Sequence, residues 1–469
     1  MTPEDFRKAG HRVIDWIADY RATVQSRPVM AQTEPGAIKA LMPTAPPEQP
    51  ESFDAILGDL DTVVVPGITA WQHPRFFGYF PSNGLFSSLL GDYVSSGLGV
   101  MGLAWQSSPA LTEVEEVVVD WTRQMLGLSP AWNGVINDTA STSTLVALLC
   151  ARERTSGYSL ARGGLQEETQ PLIVYASVYS HSSVEKAAVL AGFGKAHVRA
   201  VPCDATYAMR PDALAQMMAD DVAAGARPCA VVATCGTTTT TAFDPLVGIA
   251  DVARSHGAWL HVDAAMAGSA MILPECRSLW DGVEQADSLI VNAHKWLGAV
   301  FDCTLYFVRD PEHLVRVMST NPSYLQSAAD GRVKNYRDWG LPLGRRFRAL
   351  KLWFLIREQG VAGLQARLRR DLANAAWLSE RISQAPHWRV LAPVKLQTVC
   401  VRHEPPGLEG DALDRHTLDW AARLNQSGEA YVTPAILDGR WMVRVSIGSE
   451  LTERDHVAQL WQLMQEQVQ

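Results

Sequence analysis

Five short runs punctuate the middle of the chain: "PLIVYAS" (171–177), "CAVVAT" (229–234), "AWLHV" (258–262), "SLIVN" (288–292) and "CTLYFV" (303–308). Several are apolar throughout rather than alternating. A strand with one wet face alternates apolar and polar residues, whereas a strand covered by helices on both faces has no polar side to show. Helical segments separate the runs, so the pattern predicts a large, mostly parallel α/β sheet. A well-marked helix leads into it. In "SSPALTEVEEVVVDWTRQMLG", Ser108 and Pro109 mark the start, Thr112 and Glu115 have capping-box spacing, and Gly127 marks the stop.

The two ends read differently. "MTPEDFRKAGHRVIDWIADY" offers Thr2 as N-cap, Pro3 at the first helical position and Glu4 and Asp5 in the first turn, with Phe6, Ala9, Val13 and Ile17 on one face. Residues 28–50 are proline-rich and predict an extended connector. A helix and a connector cannot build a core of their own, so this arm must lie on something else, a partner subunit among the choices. A long helical stretch follows at 343–382. After it, strand-like "WRVLA", "QTVCVR", "AYVTP" and "WMVRVSI" alternate with two helices, the pattern of a smaller α+β domain. The expected division is 1–85, 86–350 and 351–469.

Composition narrows the function. With 41 basic and 50 acidic residues the net charge is −9, which argues against nucleic acid as a partner. The seven cysteines are odd in number and form no CxxC, so a disulfide framework is not expected, and no metal site is either. The start is not a basic region followed by an apolar run, and no segment reaches membrane-spanning length, so a cytoplasmic protein is expected.

The chemistry gathers around "VNAHKWLG" (291–298), where a lysine directly follows an apolar strand. Lysine is rarely buried unless paired or chemically used. Ligands of open α/β sheets collect at the carboxyl ends of strands. Three reactive residues fall at such ends: His181, Asp263 and Lys295. Taken singly, each is ordinary, a polar residue or a turn former. Together they suit pyridoxal phosphate, which needs a lysine for its Schiff base and an acid to keep its ring nitrogen protonated. "DTASTSTLVALL" (138–149) supplies small and hydroxyl residues leading into a helix, a cradle for phosphate, and "CGTTTTTAFD" (235–244) a second hydroxyl-rich loop. His181, His261 and His294 lack zinc-ligand spacing, and no GxxxxGK[ST] occurs.

"NAHKWLG" with "HVDAAMAGSAMILPE" (261–275) closely resembles the group II pyridoxal-phosphate decarboxylases, in particular the aromatic L-amino acid decarboxylases. The likeness covers nearly the whole chain. "EPG" (34–36), "HPRFFGYFPS" (73–82), "SSPALTEVE" (107–115), "HSSVEKA" (181–187), "TNPSYLQ" (320–326) and "PLGRRFRALKLWF" (342–354) resemble that family's segments in the same order. The resemblance implies an aspartate-aminotransferase-like, fold type I architecture.

It also assigns roles by position. Lys295 would carry the Schiff base, Asp263 would pair with the pyridinium nitrogen, and His181 and Ala265 would cover the two ring faces. Ala140, Ser141 and Asn292 would bind the phosphate, Thr238 would lie by the ring and His294 beside Lys295. Tyr324 would return a proton to the α-carbon. Trp71, Tyr79, Phe80, Pro81, Ser82, Met101, Leu103, His294, Phe301 and Gly344 would meet the substrate, with Met101 and Leu103 reaching the pocket of the other subunit of a homodimer. Where the family often has glycine before the phosphate loop this chain has Asp138, a charge near the phosphate unless it turns away or caps the helix. Leu103 stands where mammalian members carry Phe, and Gly344 where phenol-preferring plant relatives carry Ser.

The implied activity is decarboxylation of DOPA, tryptophan, 5-hydroxytryptophan, tyrosine or phenylalanine. Histidine is an alternative substrate. An aldehyde synthase is an alternative outcome, for which the resemblance leads one to expect Phe at 324 or Asn at 181. A cofactor-dependent transcription regulator would need a basic DNA-binding module that this chain lacks.

Overall fold

The computed structural model describes residues 1–320 and 328–468; Tyr324 lies outside them. The chain opens with α1 (Pro3–Thr23), α2 (Ala37–Leu41), α3 (Phe53–Asp59), α4 (Phe86–Leu98) and α5 (Pro109–Leu126). Strands and helices then alternate: β1 (Asn133–Asn137), α6 (Ala140–Ser156), β2 (Leu172–Ser177), α7 (Ser182–Leu190), β3 (Val198–Val201), α8 (Pro211–Ala223), β4 (Arg227–Thr234), α9 (Leu246–Ser255), β5 (Trp259–Asp263), β6 (Ser288–Asn292) and β7 (Thr304–Val308). α10 (Pro311–Met318) and α11 (Ala349–Gln384) lead to β8 (Trp388–Val390), β9 (Thr398–His403), α12 (Gly410–Gln426), β10 (Thr433–Leu437), β11 (Arg440–Ser446) and α13 (Arg454–Gln467). Two compact units result: Met1–Pro81 with Asp371–Leu391 and Val399–Gln469, and Ser82–Arg370 with Ala392–Thr398.

The second unit holds a seven-stranded sheet in the order β1-β7-β6-β5-β4-β2-β3. β2 to β6 pair in parallel and β7 runs against both β6 and β1. The sheet is thus mostly parallel as expected, and "CTLYFV" is its reversed strand. Every residue of β2, β5, β6 and β7 is buried, which explains their unbroken apolar character. β1 and β3 were not among the runs read as strands; β1, "NGVIN", begins and ends in asparagine.

One capping expectation is corrected. Ser108 is the N-cap of α5, its side chain accepting Leu111 N–H, while Thr112 and Glu115 lie buried inside the helix. Their spacing matches a capping box, but a carboxylate in a helix interior is free to face the core, where Glu115 meets an arginine (below).

In the first unit Thr2 caps α1 in a true capping box with Asp5, yet no residue of α1 is buried. A four-stranded sheet, order β10-β11-β9-β8, forms the unit's frame. The N-terminal arm rests on it: Phe77 N–H donates to the Tyr431 carbonyl (2.8 Å), Ser446 N–H to the Phe77 carbonyl (2.9 Å), and the Thr452 hydroxyl to the Pro74 carbonyl (2.7 Å). Three further readings shift. "AYVTP" becomes β10 three residues later, because Tyr431 bridges to Phe76 instead; Pro434 is tolerated there because β10 is an edge strand. The connector 28–50 contains the short helix α2. The helix expected from 343 starts only at Ala349 and is interrupted at Gly360, whose φ is +60°.

Candidate active site

β5 and β6 are parallel neighbours and end side by side. β5 ends on Asp263, 5% exposed, whose Oδ1 accepts the Ala265 N–H (3.0 Å). Ala265 in turn accepts the Asn292 N–H at the end of β6 (2.8 Å), tying the two turns together. The Thr237–Thr241 loop is anchored to the same strand, since Cys235 N–H donates to the Asp263 carbonyl (2.9 Å); Thr238 sits half-buried in that loop.

Lys295 occupies a tight turn, Ala293–Leu297, where its own backbone (φ −93°, ψ −109°) departs from helical values. Gly298 closes the turn at φ +107°, and a Cβ there would fall 2.6 Å from Leu85, so only glycine fits. Its neighbour His294 is pinned by Cys303, whose N–H donates to Nδ1 (2.9 Å), and Phe301 packs edge-on against its ring at 4.9 Å. Burial, then the charge of Lys295, lower the His294 pKa to about 4, so its imidazole is neutral. His181 caps α7, with Nδ1 accepting the Ser183 N–H (3.1 Å). Its pKa is lowered by desolvation, with Asp263 pulling up and Lys295 pushing down.

The cradle is the start of α6. Thr139 caps the helix through Thr142 N–H (3.4 Å), leaving the first-turn amides of Ala140 and Ser141 without intrahelical acceptors. Ser141 is exposed. Asp138 does not point its charge freely at the cradle: Oδ1 accepts Thr139 N–H (2.6 Å). Arg348 adds a cation whose pKa burial would lower but Asp302, and then Asp138, raise.

Several residues were missed by the sequence reading. The Thr304 hydroxyl sits between Asn292 Oδ1 (2.9 Å) and the Asp138 carbonyl (3.1 Å), joining cradle to lysine turn. Asn83 reaches the Lys295 carbonyl with its N–H (3.5 Å) and Nδ2 (3.4 Å). Asp244, fully buried, accepts Thr234 N–H and Met209 N–H (both 2.7 Å), and burial pushes its pKa up to about 7. Lys351, with no exposed surface, pairs with Asp92 (2.9 Å) and donates to the Asp302 carbonyl (3.2 Å). Asp244, Lys351 and Thr304 stand inside stretches quoted above, yet nothing in those stretches names the partner through which each acts.

The expected substrate residues divide between the units. Met101, Leu103 and Gly344 meet in the second, where a Cβ on Gly344 would lie 3.2 Å from Met101 Sδ and 4.0 Å from Leu103 Cδ2. Ser82 and Phe301 belong to the same unit. Trp71, Tyr79, Phe80 and Pro81 belong to the first, where Trp71 stacks on Tyr79 at 5.4 Å and Arg444 lies over Phe80 at 4.8 Å.

The residues fit pyridoxal phosphate. Two helix-terminal amides and a serine suit a dianion, a buried carboxylate suits a protonated ring nitrogen, and a partly buried lysine follows the neighbouring strand. Among the described residues no cluster of histidine, cysteine and acid could hold a metal ion.

Comparison with known proteins agrees. The model of the pyridoxal-dependent decarboxylase conserved domain matches residues 35–404. Phenylacetaldehyde synthase of Arabidopsis thaliana is 39% identical, covering all of this chain and 96% of that protein. Tryptophan decarboxylase 2 of Oryza sativa subsp. japonica is 38% identical over 100% and 95%. The crystal structure of Oryza sativa TDC with PLP and tryptamine superposes with a TM-score of 0.97 at 37% identity, over 100% of this chain and 98% of that one.

Proposed function

The chain belongs to the pyridoxal-dependent decarboxylase family, and from that premise we propose that it converts aromatic L-amino acids to their amines and CO2. Its cofactor is pyridoxal 5'-phosphate. The proposed substrates are DOPA, tryptophan, 5-hydroxytryptophan, tyrosine and phenylalanine. The observation that carries the reading is that Asp263 and Lys295 stand at the ends of the neighbouring strands β5 and β6, tied through Ala265 and Asn292, with Thr304 linking that turn to the α6 cradle. When bound, the cofactor supplies a sink for the electron pair left as the carboxylate departs.

The chain's own residues do the rest. Lys295 would hold the cofactor and Asp263 would keep its ring nitrogen protonated. His181, Ala265, Thr238 and His294 would contact its ring, and Ala140, Ser141 and Asn292 would hold its phosphate. Tyr324 delivers the proton that replaces the carboxylate. The proposed ring-binding set, Trp71, Tyr79, Phe80, Pro81, Ser82, Met101, Leu103, Phe301 and Gly344, is apolar apart from Ser82 and one phenol. Burying a flat side chain among such residues is worth a few kcal/mol, on the order of 2–3. A second carboxylate would find no partner there, which excludes glutamate and aspartate.

A homodimer in the cytoplasm completes the reading, with residues 1–85 lying against the partner, 86–350 carrying the cofactor and 351–469 forming the small domain. Its support is apolar surface. Phe6 and Ile14 of α1 stand exposed, and Phe86, Leu90, Tyr93, Val94 and Leu98 line one face of α4 at 40–56% exposure. Monomers rarely leave such a row to water. No helix among the described residues is long and apolar enough to cross a membrane.

An aldehyde synthase is the second reading, favoured by the 39% identity to the Arabidopsis phenylacetaldehyde synthase. His181 and Tyr324 in place of Asn or Phe argue for the amine. The test is incubation with cofactor and a panel of aromatic amino acids, histidine and glutamate, reading amine and aldehyde separately. Aromatic amines are expected. Glutamate or histidine outrunning every aromatic substrate by kcat/KM would overturn the assignment, and aldehyde as main product would select the second reading.

A further inference from the structure

Four rings of the first unit close on one another. Trp71 packs on Phe76 at 4.6 Å, Phe76 on Tyr431 at 5.3 Å, Tyr431 on Tyr79 at 6.0 Å and Tyr79 on Trp71 at 5.4 Å. Tyr431, just before β10, is bonded through its backbone to the segment that leads to Tyr79. Its N–H donates to the Arg75 carbonyl (3.1 Å), and its carbonyl accepts the Phe77 N–H (2.8 Å). Its ring lies against Gly78, where a Cβ would fall 2.4 Å from Cδ1. Tyr79 itself holds φ +48°, a left-handed conformation uncommon outside glycine, and donates its N–H to Thr433 Oγ1 (2.7 Å). At the far end of the side chains the Tyr79 and Tyr431 hydroxyls stand 3.3 Å apart. Two hydroxyls share one hydrogen bond, so Tyr79 Oη keeps either its proton or a lone pair for a third partner. A hydroxyl on a bound ring can answer in either sense; an unsubstituted ring cannot answer at all.

We propose that Tyr431 is a positioning residue, holding Tyr79 by ring, backbone and hydroxyl so that the two phenols read a hydroxyl on the substrate ring. The pair thereby raises kcat/KM for tyrosine relative to phenylalanine, and for 5-hydroxytryptophan relative to tryptophan. The inference rests on the ring-binding set proposed above, of which Tyr79 is the one phenol. Both tyrosines belong to the first unit, so the reader is complete within one chain. Its power is modest. When no ring hydroxyl arrives the two phenols still have each other, so neither is left unpaired as in a site built for large discrimination. One neutral hydrogen bond then decides, which is worth about three- to tenfold.

The test measures kcat/KM of the holoenzyme for both substrate pairs in wild type, Tyr431→Phe, Tyr79→Phe and the double variant. Each replacement keeps the ring and the backbone bonds; melting and cofactor titration by absorbance check that each protein folds and binds. Tyr79→Phe is expected to lower the ratio of hydroxylated to plain substrate by about three- to tenfold, and Tyr431→Phe to lower it by about threefold. Because Tyr431 acts through Tyr79, the double variant should match Tyr79→Phe alone. If Tyr431→Phe fails to fold, Thr433→Val, which releases the Tyr79 N–H, should lower the ratio likewise. A ratio unchanged or raised in a folded variant overturns the proposal. So does an equal fall on all four substrates, a further drop in the double variant, or a wild type that takes only the plain rings. A wild-type enzyme that decarboxylates none of the four would instead strike the pocket reading itself.

Discussion

Two regions of the second unit divide the work unequally. At the strand ends the turns around Asp263 and Lys295 are tied by short backbone bonds, and both charges act on His181. In the segment from Arg345 to Lys351 the charges are consumed by protein: Arg345 by Glu115, Arg348 by Asp302 and Lys351 by Asp92. Both regions contain a lysine withdrawn from water, yet Lys295 stands half-buried while Lys351 is wholly enclosed. The difference teaches that burial alone does not mark a reactive lysine. What marks it is its place, directly after the apolar strand β6 and beside the end of β5 that carries Asp263.

The comparison breaks most decisively at Lys295. We expect Lys295→Ala to fold, to lack the long-wavelength absorbance of covalently held cofactor, and to lose turnover by about 10⁴-fold or more. Retained turnover would remove the distinction between the two lysines. Asp263→Ala should come next, with kcat reduced on the order of 10²–10³-fold and a melting temperature close to wild type. Rapid kinetics and calorimetry on one preparation check both halves, and near-normal turnover would deny Asp263 its role.

The two regions also differed in how far the sequence revealed them. Asp263 and Lys295 stand out because a charged residue directly after an unbroken apolar strand is conspicuous by type and place. β2, β4, β5 and β6 were legible for the same reason. β1 was not: five residues bounded by asparagines carry no strand signal, and the strand is held by pairing with β7. Glu115 was misread because helical spacing records which residues are near in sequence, whereas its partner Arg345 is 230 residues away. Lys351, Thr304 and Asn83 were silent likewise. Each acts through a long-range partner, and a single sequence does not name partners.

A smaller effect sharpens the contrast from the other side. Lys351→Met should reduce stability more than chemistry, because Asp92, only 21% exposed, loses its 2.9 Å partner. Breaking a buried pair costs about 3–5 kcal/mol. Arg346 lies 3.5 Å from the same carboxylate, so roughly 2–3 kcal/mol is expected, a fall of several degrees in melting temperature. A loss of turnover as large as that of Lys295→Ala in a protein that still melts normally would make the segment catalytic and erase the division.

The smallest effect concerns pH. Burial lowers both His261 and His294 to about 4 from the ordinary 6.5. A histidine depressed in the folded state stabilises it fully above about 6.5, and that contribution is lost as pH falls toward 4, because the unfolded chain takes up the proton first. From pH 7 to 6 each should cost about half to one kcal/mol, visible as a falling melting temperature. The causes then separate the pair. After burial, His294 is pushed down by Lys295, whereas the charge acting on His261 is Asp263, which pulls up. In Lys295→Ala, compared with wild type freed of cofactor, the His294 pKa should therefore rise while that of His261 stays. His181, which Lys295 also pushes down, should rise too. Titration of ring-labelled histidines by NMR reads all three at once. If His294 and His181 fail to move, the amine of Lys295 does not act on them across the strand ends, and the two regions differ less than their charges suggest.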